Sequence, residues 1–118
     1  AAQIPRHGFE GARGLSPWLV LFAAGICEVG WALGLKYSDN FSRLWPSVWT
    51  LVIAAASFVL LANAMKSLPV GTAYAVWTGI GALGTAIAAV YLFNEPVTAL
   101  RVAGIAMIVA GILSLKLA

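Results

Sequence analysis

Charge is the scarcest property of this 118-residue chain. Only 9% of the residues are charged, from four acidic and seven basic side chains, whereas 62% are apolar. A soluble globular domain is about one quarter charged, so the composition excludes that class and indicates an integral membrane protein. The single cysteine, Cys27, excludes an intramolecular disulfide and a cysteine-based zinc site.

Runs of basic residues are absent as well. The net charge of +3 is spread over bases that occur one or two at a time between apolar stretches, so we expect no nucleic-acid partner. No nucleophile is paired with a base, and no group of residues suggests a metal or another cofactor. We therefore expect neither an enzyme nor a cofactor-binding protein.

One glycine pattern looks like a nucleotide motif but lacks its context. Gly79, Gly81 and Gly84 match G-x-G-x-x-G letter for letter. They lie inside an apolar segment, follow no strand, and have no acidic residue about 20 positions later, which a dinucleotide site requires. We expect these glycines to give the helix flexibility or to permit close helix packing.

Apolar segments long enough to cross a bilayer, about 20 residues each, occur four times. They cover residues 18–35, 45–65, 70–93 and 98–115 approximately, and charged or proline-containing loops separate them. The alternation of a barrel strand is missing. The sequence predicts an all-α membrane protein with four transmembrane helices in up-down order and both termini on one side.

Residues 1–16 differ from the rest of the chain. They contain three glycines and no periodic apolar face, and the first residue is not methionine. We expect a flexible amino-terminal tail of processed or artificial origin, followed by a membrane domain over residues 17–118.

Glu28 is the one acidic residue inside a predicted span. It follows Trp18 by ten residues, which places it about 15 Å into a core of about 30 Å. A charge at that depth costs roughly 3 kcal/mol, so a functional role is the default interpretation. The alternative is a neutral glutamate that joins two helices by a hydrogen bond. Gly25 and Trp31, one turn to either side, provide space and an indole donor, which favours a ligand site.

Few other polar or aromatic groups lie at membrane depth. Ser57 is midway along the second segment, and Tyr74 and Trp77 share a face of the third; Thr78 and Thr85 follow them. A binding carboxylate needs donors that hold its conformation. We expect Trp31, Ser57 and Tyr74 to supply them.

A second copy of the chain is expected from size and charge. Four helices are too few to enclose a hydrated route, and a dimer would bring two Glu28 side chains together. Gly104 and Gly111 lie in a small-residue stripe of the fourth segment, which is typical of a helix–helix interface. Positive charges are nearly balanced across the membrane, with Arg6, Arg13, Lys66 and Lys116 on one side and Lys36, Arg43 and Arg101 on the other. The chain is therefore expected to insert both ways and form an antiparallel homodimer.

Several motifs within residues 17–115 resemble the Small Multidrug Resistance family. They are AGICEVGWA at residues 24–32, LPVGTAYAVWTGIGA at residues 68–82 and NEP at residues 94–96. The family contains exporters of bulky drug cations and exporters of guanidinium. Trp31 after Glu28, the Lys36-Tyr37-Ser38 helix end, and the WTGIGA run resemble the guanidinium subtype.

The resemblance implies a proton-coupled exporter of guanidinium and small guanidinyl cations in the cell inner (plasma) membrane. Glu28 would bind protons and substrate alternately, and the fourth helix would form the dimer interface. Five further residues would line the site: Gly25, Trp31, Ser57, Tyr74 and Trp77. Guanidinium donates paired N–H groups to a carboxylate, which suits a single glutamate. The long tail departs from the family pattern.

Three alternatives remain open from the sequence. The first is a family member that exports bulky or quaternary ammonium cations. The second is a small dual-topology ion channel, against which the buried acid of Glu28 argues. The third is a structural membrane subunit in which Glu28 only joins helices.

Overall fold

The computed structural model describes residues 16–118, and these form four helices. They are α1 (Pro17–Ser38), α2 (Leu44–Ala64), α3 (Val70–Leu92) and α4 (Ala99–Leu117). All four are long and apolar enough to span a membrane, and no strand occurs within residues 16–118. The prediction of an all-α protein with four apolar membrane-spanning helices is confirmed. The largest difference in bounds is at the end of α1, which continues to Ser38 rather than residue 35. Residues 1–15, most of the predicted tail, lie outside the described part.

Polar side chains cap two of the helices at the edge of the apolar region. The hydroxyl of Ser16 accepts a hydrogen bond of 3.2 Å from the Leu19 amide, and Pro17 occupies the first turn of α1, where its missing N–H is harmless. Thr98 accepts from the Arg101 amide in the same way at the start of α4. Capped ends satisfy amide groups that the membrane interior would leave without partners.

The loop between α1 and α2 is a tight left-handed turn. Asp39, Asn40 and Phe41 have φ angles of 50°, 61° and 63°, a region that asparagine and aspartate tolerate better than other non-glycine residues. Buried Ser38 holds the turn, because its hydroxyl donates to the Leu35 carbonyl at 2.8 Å and accepts from the Phe41 amide at 3.1 Å. This hydrogen bonding offsets the unfavourable conformation of Phe41.

Helix α1 is the packing centre of the chain. It contacts both α2 and α3, whereas α4 packs mainly against α3. The close approach of α1 to α3 depends on glycines, since a Cβ at Gly25 would lie 2.5 Å from a methyl carbon of Ile80, and one at Gly84 would collide with Val29. The core includes Leu21 and Ala24 of α1, both fully buried. Because Gly25 and Val29 of α1 meet Ile80 and Gly84 of α3 in the same order, α1 and α3 run side by side in the same direction.

Aromatic contacts at the two ends fix the up-down order. The Lys116 ammonium lies 4.6 Å from the ring centre of Trp18, so the end of α4 meets the start of α1. At the opposite end, Tyr37 stacks against Trp49 and tilts against Phe93, with ring centres 6.4 and 5.3 Å apart. Two helix termini therefore meet at the first contact, those of α4 and α1, and three meet at the second, those of α1, α2 and α3, as in a series of antiparallel hairpins.

Candidate functional site

The carboxyl group of Glu28 lies between α1 and α3, halfway along α1. The residue is half-buried, and its carboxyl group rests directly against Gly81 of α3, where any side chain would collide with it. Its Oε1 atom is buried and has no hydrogen-bond partner among the described residues. An unpartnered buried carboxyl oxygen is costly, and the residues that the structure describes do not meet the hydrogen-bonding needs of this one.

Close to this position, a short chain of hydrogen bonds joins three helices. The indole Nε1 of Trp77 in α3 donates to Ser57 Oγ in α2 at 2.9 Å. Ser57 Oγ in turn donates to the Ala24 carbonyl oxygen in α1 at 2.8 Å. Both side chains are buried. Since Ala24 precedes Glu28 by one turn, this network fixes the α1 backbone beside the carboxylate.

Among residues 16–118, none of the expected donors makes a hydrogen bond to the buried Oε1 atom of Glu28. Ser57 is already engaged by Ala24 and Trp77. The Trp31 indole nitrogen is buried without a partner, and Tyr74 is 55% exposed. Within this chain Ser57 bonds the α1 backbone instead of the carboxylate, and the Trp31 N–H, like Glu28 Oε1, has no hydrogen-bond partner among residues 16–118. That Trp31, Ser57 and Tyr74 line the binding site stays a prediction.

Aromatic rings nevertheless bring the predicted lining residues together. Tyr74 and Trp77 have ring centres 5.5 Å apart, Trp77 and Phe58 5.8 Å, and Phe58 and Trp31 6.2 Å, all in tilted geometry. Phe58 connects the two tryptophans and was missed by the sequence reasoning. Its position next to Ser57 was the available signal, but a phenylalanine in an apolar span has no polar group that would distinguish it from packing residues.

The three glycines of the G-x-G-x-x-G pattern have separate surroundings. Gly81 and Gly84 face α1, at Glu28 and Val29, while Gly79 faces α4, where a Cβ would lie 3.0 Å from Ile112. α3 is one uninterrupted helix through all three. Close packing therefore explains their small size here, and a role in helix flexibility stays a prediction.

The predicted dimer-interface glycines lie on open surface. A Cβ at Gly104 or Gly111 would meet nothing within 4 Å. No residue of α4 is buried. An apolar groove of about 740 Å³ runs between α3 and α4, with Tyr74 and Gly111 among its lining residues. α4 is thus the helix that this single chain covers least.

The arrangement can bind a cation but offers little else chemically. Glu28 is the only acidic residue within the four helices, and the acids that remain within residues 16–118, Asp39 and Glu95, lie in loops. Residues 16–118 contain no group of three histidine, cysteine, aspartate or glutamate side chains placed to hold a metal ion. A single carboxylate is suited to one small organic cation or to a proton.

The class of this protein follows from its helices, and its family follows from comparison with known proteins. The fold and the site define a multi-pass membrane protein of four helices with one acid in the first. The family model described as Small Multidrug Resistance protein matches residues 16–108. The chain belongs to the Small Multidrug Resistance family, which confirms the prediction from its motifs.

Similar proteins from enterobacteria cover almost the whole chain. A protein of Yersinia pseudotuberculosis named guanidinium exporter is 60% identical over 101 residues, which are 86% of this chain and 97% of that protein. Proteins of the same name from Escherichia coli strain K12 and from Proteus vulgaris are 58% and 52% identical, over 85% and 86% of this chain and 95% and 97% of their own lengths.

Proposed function

We propose that this protein exports guanidinium and small guanidinyl cations in exchange for protons, and that Glu28 binds the two alternately. The name shared by relatives at 52–60% identity supports the substrate. The observation that carries the proposal is the Glu28 carboxyl group halfway along α1, whose Oε1 atom is buried and has no hydrogen-bond partner among residues 16–118.

Guanidinium matches this carboxylate in shape and charge. It is planar and permanently charged near neutral pH, and two of its N–H groups can donate in parallel to one carboxylate. The flat faces of Trp31, Phe58 and Trp77 complement a flat cation, since aromatic faces attract cations. Because a protonated carboxyl group loses this charge-assisted pairing, a proton and the cation compete for the same oxygens.

Export further requires a second copy of the chain in our proposal. The Glu28 side chain is only half-buried, and residues 16–118 leave every residue of α4 at least partly exposed. An antiparallel homodimer that packs the Gly104 and Gly111 surfaces together would cover α4 and enclose two Glu28 carboxylates. The near balance of lysine and arginine between the two sides supports insertion in both directions.

The decisive experiment is transport by the purified protein in liposomes. We expect guanidinium flux to accelerate when a proton gradient drives protons across the membrane in the opposite direction. The flux of a quaternary aromatic cation should be much slower. Guanidinium flux that is indifferent to the proton gradient would reject proton coupling. Faster flux of the quaternary cation would assign the protein to the bulky-cation exporters of the family.

Two further outcomes would replace the proposal. A current of anions through the protein without any cation exchange would indicate a channel. Liposomes in which neither cation moves, with protein that is folded and dimeric, would indicate a structural role in which Glu28 joins helices.

A further inference from the structure

Thr85 has a buried hydroxyl group that the chain itself does not use. Its Oγ1 atom has no hydrogen-bond partner among residues 16–118. A threonine in a membrane helix ordinarily donates to the carbonyl four residues earlier. Thr78 follows that rule, donating to Tyr74 at 2.8 Å, and Thr50 donates to Pro46 at 2.7 Å. Thr85 is therefore an exception that needs a physical reason.

The position of Thr85 relates it to Glu28. It lies one turn after Gly81, against which the Glu28 carboxyl group rests, and next to Gly84, which packs on Val29. Residues four apart lie one above the other on the same helix face, and side chains incline toward the helix amino terminus. The Thr85 hydroxyl is thus directed back toward the level of the carboxylate, on the side of α3 that meets α1.

The unpartnered groups together match the hydrogen-bonding needs of one ligand. Guanidinium is a donor only, and even the two Glu28 carboxylates of the proposed dimer accept only four of its six N–H groups, so the other two need acceptor oxygens in a site without bulk water. Ser57 is a poor candidate, because its hydroxyl already donates to Ala24 and accepts from Trp77. The Thr85 hydroxyl is uncommitted and can accept.

We propose that Thr85 is a specificity-determining residue whose hydroxyl oxygen accepts an N–H of the guanidinium held by Glu28. This inference rests on the function proposed above. A quaternary ammonium ion has no N–H to donate, so its binding gains nothing from this hydroxyl. Thr85 therefore favours guanidinyl cations over quaternary ones, and this preference does not depend on the aromatic side chains Trp31, Phe58 and Trp77.

The test compares Thr85→Val, which keeps the shape and removes the hydroxyl, with Thr85→Ser, which keeps the hydroxyl. Thr78→Val is the matched control, since it removes a hydroxyl from the same helix that is already paired with Tyr74. Guanidinium and tetramethylammonium binding to the purified protein is measured by titration calorimetry over a range of pH.

We expect Thr85→Val to weaken guanidinium binding about tenfold, as for the loss of a hydrogen bond to a charged group. Thr85→Ser and Thr78→Val should stay within about twofold of the unaltered protein. Tetramethylammonium binding and the midpoint pH of guanidinium binding should be the same in all four proteins. If the valine variant is not recovered folded, Thr85→Ala replaces it. This variant also lacks the hydroxyl, so the same loss of guanidinium affinity is expected.

Three results would overturn the role of Thr85: unchanged guanidinium affinity in the valine variant, an equal loss in the serine variant, or a shifted midpoint pH. The last would mean that the hydroxyl acts on the carboxyl group rather than on the cation. Each leaves the proposed function intact. Failure of the unaltered protein to bind guanidinium would instead reject the proposed function itself.

Discussion

Helices α1 and α4 are both apolar enough to cross a membrane, yet the structure uses them in opposite ways. α1 contains Leu21 and Ala24, buried completely, and contacts two other helices through glycines and small residues. α4 has no buried residue and leaves its glycines open. Hydropathy thus identifies a span, but the placement of polar and small residues decides whether the span packs at the centre of the chain or stays at its surface.

The largest effect in testing this contrast between α1 and α4 is expected from neutralising Glu28, the acid in α1. Glu28→Gln keeps the shape of the side chain and removes its charge, so guanidinium binding and transport should both be lost while the protein stays folded and dimeric. Binding calorimetry and liposome flux measure the first two, and size-exclusion chromatography the third. The matched control is Glu95→Gln, an acid in a loop, which should transport normally. A transporting Glu28→Gln variant would contradict the proposed mechanism.

A change on α4 should affect association instead of binding chemistry. Gly104→Leu adds a side chain where the single chain has open space, so the fold should be preserved. Overpacking of a close contact costs about 1–3 kcal/mol, and we expect the dimer association constant to fall by roughly ten- to a hundredfold. Single-molecule photobleaching in bilayers measures this constant. Gly71→Leu, equally open at the start of α3, is the control. Equal dimerisation of both variants would remove α4 from the interface.

The contact between α3 and the Glu28 carboxyl group provides a third, smaller test. Gly81→Ala places a methyl group where the carboxyl group now lies, so the side chain must move to another conformation. Displacement of a binding group by about 1 Å can cost up to a hundredfold, and we expect guanidinium affinity to fall about tenfold or more. Gly71→Ala serves as the control. Unaltered affinity would show that the carboxyl group binds from another position.

The pH dependence of binding tests whether one carboxylate serves both ligands. Only ionised Glu28 pairs with the cation, so affinity should increase with pH and level off once the group is fully ionised. On the acidic side, each pH unit should weaken guanidinium binding about tenfold for one displaced proton, or about 1.4 kcal/mol. Titration calorimetry from pH 6 to 9 measures the slope, and Glu95→Gln should not change it. A flat profile would exclude competition at Glu28.

The smallest effect is expected at the base of α4. Arg101 and Glu95 form an ion pair of 2.7 Å that is substantially exposed, at 38% and 43%. Exposed pairs contribute about 0–1 kcal/mol, so Arg101→Gln should lower the unfolding free energy by less than about 1 kcal/mol and leave transport unchanged. Unfolding in denaturant and liposome flux check both. A large loss of transport would show that this loop takes part in the exchange.

The sequence predicts the span of α1 and the place of Glu28 along it well, because length, hydropathy and depth are local properties. Ten residues of helix after Trp18 place an acid at mid-membrane whatever the tertiary packing. The hydrogen bonds of Ser57 were not predictable in this way, since its partners Ala24 and Trp77 are 33 and 20 residues distant. Which of several nearby acceptors a hydroxyl chooses depends on helix rotation, and hydropathy does not encode rotation.

The loop after α1 shows a second limit. Asp39 and Asn40 suggest a turn, but the extension of left-handed backbone to Phe41 depends on Ser38, whose hydroxyl accepts from the Phe41 amide. A sequence pattern for turns assigns such conformations to glycine or asparagine. The contacts of one buried serine therefore override the local preference of the phenylalanine that directly follows Asn40.

The Trp77–Ser57–Ala24 network also constrains how the molecule can change shape. Separating α1 from α2 or α3 would strand a buried hydroxyl or indole in hydrocarbon, where no water replaces the lost partner. Tilting the three helices together as one rigid body breaks none of these bonds. A displacement of α4 along α3 would break no hydrogen bond either, since the groove between them is apolar and contains no interhelical hydrogen bond among the described residues.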